Sequence, residues 1–210
     1  MTTSRPVIDV SPLPGSALDH RSLIWWGNLL LIFIETTMFA LLVAAYFYLR
    51  PKFNEWPPPL PSGPFAIYDP VPALGLPTIN LILIMLTLVP MIVADRAALK
   101  INHRVTTIAL VVFLGIGLTC IALRFGEFSA LKFRWDDNAY GSVTWTLVGL
   151  HLLHLIVGVL EIIVLLTWIL VHGLDDKHAR DVRVTAVYWY WVVGTWIILF
   201  AIIFPGPRFF

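Results

Sequence analysis

The chain has 210 residues, of which 59% are hydrophobic and 13% charged, and its mean hydropathy is +0.84. A soluble domain carries about 25% charged residues, so this composition excludes an ordinary soluble globular fold and points to a membrane protein. A net charge of +1 offers no basic surface for nucleic acid, and the single cysteine, Cys120, excludes a disulfide framework within the chain and a multi-cysteine metal centre.

Residues 1–21 read as an N-terminal tail; Pro6, Pro12 and Pro14 interrupt it, and no apolar run precedes Leu23, so it lacks the pattern of a cleavable signal. A spanning helix needs about 20 mostly apolar residues. Five segments qualify, at about 22–49, 74–94, 105–125, 142–171 and 184–204, and residues 205–210 form a C-terminal tail. Helices satisfy the backbone in lipid without help from neighbours, so the expected fold is all-α with five transmembrane helices over 22–204.

In the first span, "LLLIFIETTMFALL" places Glu35 about midway. A charge at the centre of a helix costs about 2.5–3.5 kcal/mol on insertion scales, so this carboxyl must find a partner, face water or stay protonated. It reads either as a proton-exchanging or lipid-headgroup-contacting group, or as a protonated glutamate bonded to a neighbouring helix. The loop at 51–73 is dense in proline and expected to be extended, partly as polyproline II. In the second span only Pro90 interrupts, near the end. The third span ends in "LRFGEF", where Arg124 and Glu127 are three apart; an i,i+3 ion pair anchoring the following loop is the plain reading. Arg134, Asp136 and Asp137 follow in the polar link 126–141.

The fourth span carries "GLHLLHLIVGVLE", Gly149 to Glu161. At 100° per residue, with His151 at zero, His154 falls near −60°, Gly158 near −20° and Glu161 near −80°, about one face. Glu161 lies about 15 Å from His151 along the axis, too far to share a metal with it. No other span supplies a histidine, so the expectation is a buried polar seam of His151, His154 and Glu161 rather than a metal centre, with Gly158 allowing close helix approach. The links 95–104 and 172–183 are short and charged. Eight Lys and Arg residues (Arg5, Arg21, Arg96, Lys100, Arg104, Lys177, Arg180, Arg183) lie on the side of the N-terminus against six on the other, which favours a cytoplasmic N-terminus. There is no phosphate-binding glycine loop, no activated serine or cysteine constellation and no H-E-x-x-H, so no stand-alone active site is visible. A proton-coupled transporter using Glu35 and Glu161 is a weaker reading, because five spans do not divide into equal repeats.

Taken in order, these stretches resemble subunit III of the haem–copper oxidases, the cytochrome c oxidase subunit 3 family, from about Trp25 to Phe204. "WWGNLLLIFIETTMFALLVAAYFYLR" is similar to the family's helix with a mid-membrane glutamate, at Glu35. "WPPP", "PTIN", "GEF" and "NAYGS" follow in family order, "GLHLLHLIVG" is similar to G-F-H-G-L-H-V-x-x-G, and "YWYW" at 188–191 resembles Y-W-H-F. Five helices match the shorter bacterial form. The chain departs from the pattern at Tyr190, where the family has His, at Val193, where it has Asp, and at Arg124, where it has Gln; Glu161 has no family counterpart.

The resemblance implies two packed helix bundles with a lipid-filled cleft. It implies a non-catalytic role beside subunits I and II, with haem and copper in those partners and none here. It further implies bound phospholipid, support of proton uptake, electron supply to the complex from cytochrome c or a quinol, and a multi-pass place in a bacterial plasma membrane. A subunit-III-like accessory protein of nitric oxide reductase is the remaining branch.

Overall fold

The computed structural model describes residues 22–59, 69 and 71–209. The tail 1–21, with Arg5 and Arg21 of the orientation argument, lies outside the described residues, as do 60–68 and 70 of the proline-dense loop and Phe210. Six α-helices make five segments long and apolar enough to cross a membrane, so the expected all-α, five-span fold is borne out. They are α1 (Leu23–Leu49), α2 (Gly75–Leu86), α3 (Leu88–Ala98), α4 (His103–Ala130), α5 (Ala139–His172) and α6 (Asp176–Ile203). Short 3₁₀ turns follow α1 and α6, at Arg50–Lys52 and Gly206–Arg208.

The helix ends depart from the hydropathy bounds for identifiable reasons. The second span is two helices joined at Thr87, three residues before Pro90. Pro90 has no N–H for the Leu86 carbonyl and its ring crowds that turn. The Thr87 amide is shared between Leu83 O at 3.1 Å and Ile84 O at 3.2 Å, a local tightening. Helix α4 continues to Ala130, past the expected end at 125, so Glu127 sits inside a helix and not beside a loop. Helix α6 begins at Asp176, eight residues before the expected 184. Asp175 caps it, accepting from His178 N at 2.8 Å, and Asp176 in the first turn favours the positive helix end. The charged stretch read as a link is therefore helix. Asp95, also read as part of a link, lies buried on α3 and pairs with Arg183 of α6.

Packing is asymmetric. The α2–α3 span, α4, α5 and α6 form a four-membered ring of neighbours. Among the described residues, the only α-helices that α1 touches are α5 and α6, and its outer face (Leu30, Phe33, Ile34, Leu41) is exposed. The core of the ring is aromatic: Trp189, Trp196 and Phe113 are fully buried, with Phe113 edge-on to Trp189 at 4.7 Å between ring centres. Trp189 reaches α5 because Gly158 has no side chain; a Cβ there would lie 2.8 Å from the indole. The indole N–H donates to Thr87 Oγ1 at 2.8 Å, so the break between α2 and α3 supplies a buried acceptor. Loops are tied down as well. Trp56 of the proline-dense loop donates to Tyr46 OH at 3.1 Å and sits edge-on to Tyr140, while Arg208 donates to Pro72 O at 2.7 Å. The expected C-terminal tail is thus a turn closed back on the α2 entry.

Candidate functional site

Two polar assemblies lie inside the apolar helices. The first is closed. Arg124 on α4 is fully buried and its Nη1 donates to Glu127 Oε2 at 2.6 Å. The other oxygen of Glu127 accepts from Asn80 Nδ2 of α2, also at 2.6 Å. The Arg124 guanidinium lies 3.5 Å from the centre of the Trp196 ring on α6, a cation–π contact in a desolvated place. The expectation of a loop-anchoring pair is therefore corrected. Arg124 and Glu127 form a core clamp between α2, α4 and α6; the i,i+3 ion pair is present as expected, but it does not anchor a loop. Loop anchoring falls instead to the following link, where Arg134 N donates to Asp137 Oδ2 at 2.6 Å.

His151 belongs to this closed assembly. It is fully buried, stacks on Trp196 at 4.5 Å and lies 3.2 Å by Nε2 from the Val192 carbonyl of α6. A carbonyl only accepts, so Nε2 carries the hydrogen. The last helix thus meets this histidine through its backbone, and Val193, where the family has Asp, packs as a buried apolar residue.

The second assembly is open. His154 turns the other way, towards α1. Its Nδ1 lies 2.7 Å from the Leu150 carbonyl and its Nε2 3.2 Å from Glu35 Oε2. Because Nδ1 must donate to Leu150, the contact with Glu35 holds one proton: either imidazolium against carboxylate, or carboxylic acid against neutral imidazole. Both states have zero net charge, which suits a low-dielectric place. Phe39, with its ring centre 5.2 Å from that of His154, shields one side. The other side opens on a groove of about 390 Å³ between α1, α5 and α6, lined by Asn28, Glu35, His154, Glu161 and Tyr188 among apolar side chains. Glu161 accepts from Thr185 Oγ1 of α6 at 2.6 Å.

The expected seam of His151, His154 and Glu161 is accordingly split. His151 faces the α6 core, whereas His154 and Glu161 join Glu35 in the groove, and Glu161, expected to be buried, is exposed there. A rotation of about 60° between residues three apart was enough to send the two histidines to different helices. Asn80, Trp196, Tyr188 and Thr185 were not singled out from the sequence. The available signal for Asn80 was its place as a polar residue early in an apolar helix; the others look like ordinary helix residues until α6 is packed.

Similarity to known proteins is consistent along the chain. The family model for cytochrome c oxidase subunit III matches residues 16–205. Cytochrome c oxidase subunit 3 of Heterololigo bleekeri is 27% identical over 185 residues, covering 85% of this chain and 68% of that protein. The subunit 3 of Petromyzon marinus is 27% identical over 186 residues with the same coverage. That of Cyanidium caldarium is 25% identical over 184 residues, covering 85% of this chain and 66% of its own length.

Proposed function

Given that this chain belongs to the cytochrome c oxidase subunit III family, we propose that it acts as the non-catalytic third subunit of a bacterial respiratory terminal oxidase, stabilising subunit I, holding phospholipid and supporting proton uptake. Haem and copper would lie in subunits I and II, and this chain carries neither in the proposal. The names of its relatives favour cytochrome c over a quinol as the electron donor to the complex. The five spans support a multi-pass membrane location, and the charge bias supports a cytoplasmic N-terminus in a plasma membrane as part of this reading.

The observation that carries the proposal is the Glu35–His154 pair, a carboxyl and an imidazole 3.2 Å apart in an apolar wall beside an open groove. A helix with so much exposed apolar surface, α1, suits burial against lipid or another membrane subunit. The test is gentle solubilisation of tagged protein followed by an optical spectrum of what co-purifies. A haem-bearing subunit in stoichiometric amount is expected; a preparation free of haem would overturn the assignment. In the same complex, Glu35→Ala should leave the initial rate of oxygen reduction near wild type and hasten inactivation during turnover. An unchanged lifetime removes Glu35 from the role.

A further inference from the structure

Glu161 lines two grooves. One is the groove of Glu35 and His154. The other, of about 440 Å³, runs between α5 and α6 towards the α5–α6 link and is lined by Glu161, Trp168, His178, Asp181 and Thr185 with two aliphatic residues. The carboxyl of Glu161 therefore stands where the two meet. Thr185 occupies its Oε1 and leaves Oε2 to the grooves. Tyr188, buried on α6, lies within electrostatic range of both Glu35 and Glu161 and lines the inner groove. At the outer mouth His178 stacks near Trp168, and Asp181 lies within range of Glu161. Glu161 is exposed on the helix surface, and a carboxyl within a membrane span is costly in lipid and is tolerated where it faces a cavity on an ion or proton path.

We propose that the two grooves form a proton-collecting track from the α5–α6 link to the Glu35–His154 pair, with Glu161 as its intermediate carrier. A proton taken up at Asp181 or His178 passes through water in the outer groove to the carboxylate of Glu161. Glu161 becomes the acid, then releases the proton along the inner groove, past the Tyr188 hydroxyl, and returns to carboxylate. From His154 to Glu161 the rise is about 10 Å, a gap that a short file of waters spans. Each groove has many times the room one water needs. On arrival the proton enters the Glu35–His154 pair as the shared proton leaves, so the pair is neutral before and after. One proton moves per cycle and no other bond changes. The track rests on the proposed support of proton uptake only for its onward destination in the oxidase.

The test is hydrogen–deuterium exchange of the Glu35–His154 proton, followed by time-resolved infrared spectroscopy on the purified complex, with bands assigned by subtraction of Glu35→Gln. Glu161→Gln keeps an oxygen for Thr185 and is expected to slow that exchange by tenfold or more. Glu161→Asp should restore it to within about threefold of wild type. The paired change His178→Gln with Asp181→Asn, at the mouth and away from the core, should slow it severalfold, which guards against a folding defect in the Glu161 variants. Exchange in Glu161→Gln equal to wild type overturns the track. If exchange slows but proton uptake during turnover is unchanged, the track stands and the proposed role in uptake falls.

Discussion

Glu127 and Glu35 are both glutamates inside apolar helices, and both have a basic partner, yet their surroundings could hardly differ more. Glu127 spends one oxygen on Arg124 and the other on Asn80 and is 3% exposed. Glu35 has a single weaker partner in His154 and lines an open groove. The closed arrangement fixes three helices and exchanges nothing with its surroundings. The open one contributes less to holding helices together and leaves its carboxyl at the wall of a groove. The residue type is the same; the count of donors around the carboxyl and the access to it decide which job it can do.

That contrast can be broken experimentally. The largest effect belongs to Glu127→Ala, which leaves Arg124 charged and buried without its partner and should cost roughly 3–5 kcal/mol, read as unfolding in detergent. The double change Arg124→Met with Glu127→Leu should lose much less, since no charge is stranded. If the single variant is as stable as wild type, the clamp is not structural. Gly158→Val comes next. It drives a branched side chain into the Trp189 indole at the α5–α6 contact and should cost about 1–3 kcal/mol, again measured by unfolding. Glu35→Gln should change stability by under about 1 kcal/mol, because an amide can still meet His154 and the groove can hydrate it. A loss as large as that of Glu127→Ala would erase the distinction between the two regions.

The smallest effect is at the mouth of the outer groove, where Asp175 caps α6. The His178 backbone N–H holds its carboxyl below the ordinary aspartate value of 3.8. A carboxylate whose folded value is depressed stabilises fully above its unfolded value and loses that contribution as pH falls through the folded one. Amide exchange at His178, taken relative to the intrinsic rate at each pH, should therefore be slow and level at neutral pH and rise below about pH 3.8. Asp175→Asn, which caps without titrating, should flatten that rise. A rise that persists in the asparagine variant would assign it to another group.

The five spans were legible because hydropathy reports directly on the solvent a segment meets. Their ends were not, because α6 opens on "DKHARDVR", a charged run that hydropathy rejects and that the Asp175 cap and the Asp95–Arg183 pair hold in helix. The spacing of Arg124 and Glu127 announced an ion pair, but its burial depends on Asn80 and Trp196, which lie on α2 and α6. His154 and Glu35 were each recognised as polar groups in the wrong solvent. Their partnership spans 119 residues of sequence and is set by how α1 lies on α5, a tertiary fact with no local trace. Likewise Glu161 gave no hint of Thr185, since threonine is common on helices and bonds its own backbone when nothing better is near.

The isolation of α1 also bears on biosynthesis. It leaves the ribosome before α5 and α6, the only α-helices among the described residues that it packs on. Until more than a hundred further residues have been made, its glutamate has no histidine, Asn28 has no Val184 carbonyl and its indole-facing Thr36 has no Trp191. Newly inserted α1 must therefore wait in the bilayer as a lone span with a bare mid-membrane acid. Its docking becomes the closing event of assembly, and a stalled or truncated chain is exposed to membrane quality control at that carboxyl.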